Sequence, residues 1–194
     1  RGRLSMDSLL HCKTRGVRVQ EGSSYYEQLT GKIMIEGLRK SWLVFSDGFN
    51  ASPMRRASKR IFDVVSAAIV LAVSWPLMLL AALAIRIESG PGQPILYSQE
   101  RVGEQGRVFR LFKFRSMRTD AELGGIARWA SKNDERVTRV GRVIRKLRLD
   151  ELPQLWNVLN GTMSLIGPRP ERPEFVAELA RNIPYYNLRH CVKP

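Results

Sequence analysis

Cysteine and histidine are scarce in this chain of 194 residues, which has two of each. Cys12 and Cys191 cannot form a disulfide scaffold or a cysteine-rich zinc site, so reduced thiols in a cytoplasmic compartment are expected. His11 and His190 lie far apart and lack partners for a metal site or a Ser-His-Asp arrangement. No Asp-x-Asp occurs, and no Gly-Lys-Ser/Thr follows Ser89-Gly90-Pro91-Gly92, which reads as a turn rather than a phosphate loop. Acid is also short, with 18 Asp plus Glu against 32 Lys plus Arg and a net charge of +14. At 44% hydrophobic and a mean hydropathy of −0.22, the chain is neither a disordered tail nor a polytopic membrane protein. It starts at Arg1 without a signal-peptide pattern and stops at Val192-Lys193-Pro194, so a piece of a longer protein is expected.

The positive charge is concentrated. Residues 107–148 hold 13 Lys or Arg against 4 Asp or Glu. Such a patch suits nucleic acid, an anionic membrane surface or a phosphorylated small molecule. A neighbouring segment favours the membrane. Val64 to Ile85 is a run of 22 uncharged residues between Asp63 and Arg86. As a straight helix it would reach about 33 Å, close to the hydrocarbon thickness of a bilayer. A buried core helix is the alternative, but one with no polar face is unusual. Pro76 sits near the middle and predicts a kink or break, with Ser74 placed to bond a freed carbonyl. Arg55, Arg56, Lys59 and Arg60 precede the segment and Arg86 follows it, so the basic flanks give no inside-outside asymmetry. A re-entrant helix with both ends cytoplasmic fits this better than a kinked spanning helix.

Residues 1–52 read differently. Val17-Arg18-Val19, Tyr25 to Leu29 and Trp42-Leu43-Val44-Phe45 suggest short strand and helix pieces separated by Gly and Ser turns. They are too few to form a core alone and fit the end of an upstream α/β domain plus linker. Residues 53–194 form the second domain. Within it, Ile95–Gln99 and Val108–Phe114 are strand-like. From Asp134 to Leu149, Val137, Val140, Ile144 and Leu147 share one helical face opposite Arg136, Arg139, Arg142, Arg145, Lys146 and Arg148. Such a helix can lie in a membrane interface or pack on its own domain.

Three clusters could carry chemistry. Asp150-Glu151 follows the cationic run, and nearby cations would keep Asp150 ionised as a nucleophile or metal ligand. An acidic helix start with Pro153 in the first turn is the simpler alternative. Arg169, stiffened between Pro168 and Pro170, suits bidentate phosphate recognition, or else caps a helix end. Lys113 and Arg115, at a strand end, would alone pass for solvated charges.

Together these motifs resemble the bacterial sugar transferases, the monotopic polyprenol-phosphate phosphoglycosyl transferases. The resemblance runs from about Lys59 to Pro194. It includes Lys59-Arg60-Ile61-Phe62-Asp63, the Pro76-interrupted segment, Gln99-Glu100-Arg101-Val102-Gly103 and Lys113-Phe114-Arg115-Ser116-Met117. Leu149-Asp150-Glu151-Leu152-Pro153-Gln154-Leu155 and Ser164-Leu165-Ile166-Gly167-Pro168-Arg169-Pro170 complete it. Arg39 to Phe49 looks like the segment before the catalytic domain in longer members.

The resemblance implies a helix-rich α/β, membrane-associated monotopic domain with a re-entrant Pro-broken helix and amphipathic interfacial helices. It implies transfer of a phosphosugar from a UDP-sugar to undecaprenyl phosphate with release of UMP. This would be the first membrane step of exopolysaccharide or O-antigen synthesis, at the cytoplasmic face of the bacterial inner membrane. Asp150 would carry a covalent phosphosugar, and Glu151 would support it with Mg2+ held by both carboxylates. Lys113, Arg115, Arg145 and Arg169 would hold phosphate and nucleotide. Two features depart from the pattern. Trp75, not Ser, precedes Pro76, and the resemblance implies a Gly-rich segment after Pro194, so a C-terminally incomplete domain is expected.

The expected partners are the UDP-sugar, undecaprenyl phosphate and the lipid bilayer, with self-association as a homo-oligomer through the partial domain. Nucleic acid is not expected, because it leaves the apolar run unexplained and no binding motif occurs. A non-catalytic basic membrane anchor or scaffold is the rival reading, and it leaves Asp150, Glu151 and Arg169 without a task.

Overall fold

The structure, a computed structural model, describes residues 5–20, 22–32, 52–121 and 134–194. The chain divides into two units, Arg1–Phe49 and Asn50–Pro194. In the first, α1 (Met6–Thr14) and α2 (Gly22–Thr30) are short helices. No residue of α1 is buried. Tyr25 to Leu29 falls inside α2, whereas Val17-Arg18-Val19 is irregular rather than a strand. The Trp42–Phe45 stretch and the Arg39–Phe49 motif lie outside the described residues.

The second unit opens at Ser52, whose hydroxyl accepts from the Arg55 N–H at 3.3 Å and, with Pro53 following, starts α3 (Pro53–Ser89). This helix has 37 residues, or about 56 Å at 1.5 Å per residue. It ends at Gly90, whose φ of +77° suits glycine and whose N–H returns to the Arg86 carbonyl at 3.1 Å. Pro76 lies inside α3, and the helix continues on both sides of it. Ser74 does not take up a carbonyl there; its hydroxyl meets Met78 Sδ at 3.8 Å.

Length and composition make α3 long and apolar enough to cross a membrane, yet only 17% of its most apolar window is buried. The buried positions are Asp63, Ala67, Ser74, Ala81 and Ile85, at spacings that fall on one stripe. Small side chains along that stripe let other elements approach closely. The opposite side exposes Ile69, Val73, Leu80 and Leu83 among others.

β1 (Leu96–Val102) and β2 (Val108–Phe114) form an antiparallel pair with Tyr97 opposite Lys113 and Gln99 opposite Leu111. β2 matches its expected stretch, whereas β1 extends three residues past the expected Gln99, to Val102. α4 (Arg139–Lys146) is shorter than the periodicity from Asp134 suggested. Thr138 sets its start by accepting from the Gly141 N–H at 2.9 Å, and Val137 instead pairs with Met117 in an isolated bridge. Gly141 is required because a Cβ there would collide with the Ser116 carbonyl. α5 (Gln154–Leu159) and α6 (Pro173–Asn182) follow, and the chain closes in a 3-10 turn, Tyr186–Cys191.

Two apolar clusters join these elements to α3. Ala67 meets Leu111, Leu155, Val158 and Met163. Ala81 and Ile85 meet Phe114 and Ile144. The described domain is therefore helix-rich, with a two-stranded sheet packed on α5 and on the 3-10 turn Leu149–Glu151, which also contact α3.

Candidate active site

Four segments converge on a cavity of about 550 Å3. β2 delivers Lys113, and Arg115 follows just beyond it, with its N–H bonded to the Ile95 carbonyl at 2.8 Å. α4 delivers Arg145. A left-handed Arg148 turns the chain from α4 into the 3-10 turn Leu149–Glu151, which carries Asp150 and Glu151. The loop after α5 brings Arg169 between its two prolines. All six site residues expected from the sequence line this one cavity.

The two carboxylates lie in different surroundings. Glu151 Oε1 meets Lys113 Nζ at 3.5 Å and an Arg169 guanidinium nitrogen at 3.2 Å. Burial pushes its pKa up, but Lys113 and Arg169 outweigh this and leave it below the ordinary glutamate value. Asp150 is 7% exposed, and its Oδ1 is buried without a hydrogen-bond partner. Burial, then the Glu151 charge, raise its pKa against the opposing pull of Lys113 and Arg145. The net direction is opposite to the one expected from the nearby cations, because desolvation exceeds their attraction. Burial likewise lowers the pKa of Lys113, with Glu151 opposing.

A buried carboxylate oxygen with nothing donating to it is an unmasked lone pair. It suits a nucleophile or an oxygen ligand for a hard cation. Arg115 is buried as well; one guanidinium nitrogen reaches Gln93 Oε1 at 3.3 Å and another has no partner. Among the described residues no group of three or more His, Cys, Asp or Glu converges. A metal here would therefore rest on Asp150, Glu151 and oxygens brought by the ligand.

Several residues that hold the site were not assigned to it from the sequence. Asn157, 2% exposed, spans the open edge of β2: its side chain accepts from the Phe112 N–H at 3.1 Å and donates to the Arg110 carbonyl at 2.7 Å. This ties α5, which follows the acidic pair, to the strand bearing Lys113. Arg101 donates to the Pro170 carbonyl at 3.0 Å and Arg189 to the Arg169 carbonyl at 2.6 Å, so the Pro-Arg-Pro loop is held by its backbone.

Lys59 bonds the Ser164 hydroxyl and the Ile166 carbonyl, and Asp63 accepts from the Leu165 N–H at 3.3 Å. Arg60 donates to the Val158 and Leu159 carbonyls at the end of α5, at 2.5 and 2.6 Å. At the far end of α3, Glu88 accepts from the Val140 N–H of α4 at 3.2 Å. A lone Asn inside Leu155-Trp156-Asn157-Val158-Leu159 was the legible signal for the first of these. The others depend on long-range contacts.

Comparison with known proteins follows this geometry. A family described as bacterial sugar transferase matches residues 54–194. The chain is 46% identical over 186 residues to a UDP-N-acetylgalactosamine-undecaprenyl-phosphate N-acetylgalactosaminephosphotransferase of Aeromonas hydrophila, covering 96% of this chain and 43% of that protein. It is 48% identical over 139 residues to an undecaprenyl-phosphate glucose phosphotransferase of Komagataeibacter xylinus, covering 70% of this chain and 26% of that one. A UDP-glucose:undecaprenyl-phosphate glucose-1-phosphate transferase of Caulobacter vibrioides is 47% identical over 136 residues, 70% of this chain and 50% of its own length. The chain thus spans half or less of the length of these relatives. With the family match running from Met54, near the start of α3, to Pro194, the chain belongs to the bacterial sugar transferase family.

Proposed function

We propose that the second unit transfers a phosphosugar from a nucleoside-diphosphate sugar, UDP-linked, to undecaprenyl phosphate and releases UMP. The observation that carries this reading is one cavity in which a buried, unpartnered carboxylate faces an array of cations. A carboxylate oxygen of Asp150 attacks the sugar-side phosphorus. The bond from that phosphorus to the bridging oxygen breaks, and UMP leaves with the electron pair. Asp150 then carries the phosphosugar until the phosphate of the lipid displaces it, a two-step exchange.

Lys113, Arg115, Arg145 and Arg169 neutralise and orient the diphosphate. Glu151 holds Lys113 and Arg169 in place through its two ion pairs. Asp150 and Glu151 also suit Mg2+, which favours one or two carboxylates plus substrate phosphates; when bound it neutralises the departing phosphate. The relatives' names differ in the sugar, N-acetylgalactosamine in one and glucose in two, so the donor is the class of UDP-hexoses.

The same reading includes a re-entrant seating of α3 in the cytoplasmic leaflet of the inner membrane. Its support is that both ends of the apolar run are held by one unit: Lys59, Arg60 and Asp63 at one end, Glu88 at the other. The same unit also packs along the run itself, at Ala67, Ala81 and Ile85, and a helix crossing the bilayer would carry those contacts to membrane depth. The exposed Val143 of α4 and Leu147 just after it, beside Arg142 and Lys146, suit the headgroup level. Such a seating presents a water-soluble donor and a lipid acceptor to one cavity, at the start of exopolysaccharide or O-antigen assembly.

The test separates UMP from UDP after the detergent-solubilised protein is incubated with Mg2+, undecaprenyl phosphate and a panel of UDP-hexoses. UMP that disappears in Asp150→Asn is the expected result. UDP would overturn the aspartyl route, and neither product with every donor would favour an anchor or scaffold.

A further inference from the structure

Arg148 stands apart from the other cations by its backbone. Its φ of 59° and ψ of 15° are left-handed, a conformation that glycine or asparagine adopts with less strain than arginine. The turn is what swings the chain from α4 toward Asp150, yet a long cation occupies it. Strain of this kind at the lip of a ligand cavity points to a use for the side chain.

The side chain is exposed and lines the cavity, and it makes no hydrogen bond or ion pair among the described residues. The neighbouring cations are engaged differently: Lys113 and Arg169 are paired with Glu151, and Arg115 is bonded to Gln93. On the other side of Arg148 lies the outward surface of α4. There Val143 and Leu147 are 56% and 60% exposed, among exposed Arg142 and Lys146. α4 itself packs on α3 through Ile144 against Ala81 and Ile85. Arg148 therefore stands where a basic-apolar surface suited to anionic lipid meets the cavity that holds Asp150, two residues away.

We propose that Arg148 binds the phosphate of the lipid acceptor and steadies it for the second step, an inference that rests on the two-step transfer above. An oxygen of the lipid phosphate bonds to the phosphorus held on Asp150. The phosphorus–oxygen bond to Asp150 breaks, its electron pair returns to the carboxylate, and a lipid diphosphate sugar results. The planar guanidinium supplies parallel donors that match a phosphate and need no proton transfer. The donor's own phosphates have the same chemistry, so the test has separate arms for the two.

The full chain is compared with Arg148→Gly and Arg148→Lys. Glycine accepts the left-handed backbone, so Arg148→Gly should melt no lower than the unaltered protein. Equilibrium binding in detergent is measured for undecaprenyl phosphate, for undecaprenol, which lacks the phosphate, and for the UDP-sugar. The expected result is an affinity for undecaprenyl phosphate weakened about tenfold in Arg148→Gly and partly restored in Arg148→Lys. Binding of undecaprenol and of the donor should change far less.

Unchanged binding of undecaprenyl phosphate would overturn the inference. So would an equal loss for the donor, or a lower melting temperature that accounts for the change. None of these readouts requires turnover. UMP release by the unaltered protein separately tests the reading on which the inference rests.

Discussion

The apolar helix α3 and the charged wall around Asp150 reverse the ordinary arrangement of a water-soluble domain. α3 leaves most of its leucines, valines and isoleucines exposed, while Asp150 and Arg115 are buried. Exposed apolar area on this scale requires a partner, and a continuous apolar helix with basic flanks suits lipid. The buried charges persist because they meet opposite charges or are reserved for a ligand. One side of the molecule thus suits hydrocarbon and the other suits phosphate, and the small-residue stripe of α3 joins them.

The largest effect that tests this contrast is loss of the nucleophile. Asp150→Asn should lower UMP release by about a thousandfold or more, the scale seen when a covalent residue is removed. Retained UMP release would leave Asp150 a merely buried acid. Next, Arg169→Ala should lower kcat/KM for the donor about tenfold to a hundredfold, because a charge-assisted contact is lost and Glu151 keeps only Lys113. A steady-state titration with the UDP-sugar decides this, and an unchanged kcat/KM would count against a phosphate role.

The two faces of α3 are separated by stability. Ala67→Leu crowds a fully buried site against Leu111, Leu155 and Val158 and should destabilise the fold by about 1–3 kcal/mol. Val73→Leu on the open face should stay within about 0.5 kcal/mol in detergent. Equal effects at the two positions would mean that the open face is packed in solution.

The smallest effects are electrostatic and of opposite sign. Burial and the Glu151 charge raise the pKa of Asp150 in the fold, so folding disfavours its ionised form relative to the unfolded chain, and the stability linked to it is lost as pH rises through the folded value. Glu151 has a lowered pKa, so its contribution is present above the ordinary glutamate value and lost as pH falls through the folded one. At pH 7, Asp150→Asn should therefore raise the melting temperature and Glu151→Gln lower it. Melting curves shifted in the same direction would contradict the unequal environments of the two carboxylates.

Local pattern explains what was legible. The strand pair was visible because Val108–Phe114 is apolar and aromatic between glycine-bearing turns, and the structure forms β2 over those residues. The uncharged run announced α3, although its helix continues well beyond the run at its N-terminal end. α4 was overestimated because the apolar periodicity from Val137 ignores Thr138, whose side chain fixes the first turn, and Val137 is used in a bridge instead. Leu147, counted on the apolar face, lies outside the core. The direction of the Asp150 shift was not legible because a sequence lists its charged neighbours but not the water it loses.

Composition and motif order alone determined a basic domain with one bilayer-length apolar helix, two strand-like stretches and three clusters able to handle phosphate. They did so because hydrophobic runs, turn residues and charge density act over a few residues at a time. Only tertiary structure decided that Lys113, Arg115, Arg145, Asp150, Glu151 and Arg169 line one cavity. It also decided that Asn157 spans β2, and that Lys59, Arg60 and Glu88 tie α3 to the walls of the site. Those facts depend on distances between residues far apart in the chain, which are set by the packing of the Ala67 and Ala81 clusters and not by any local preference.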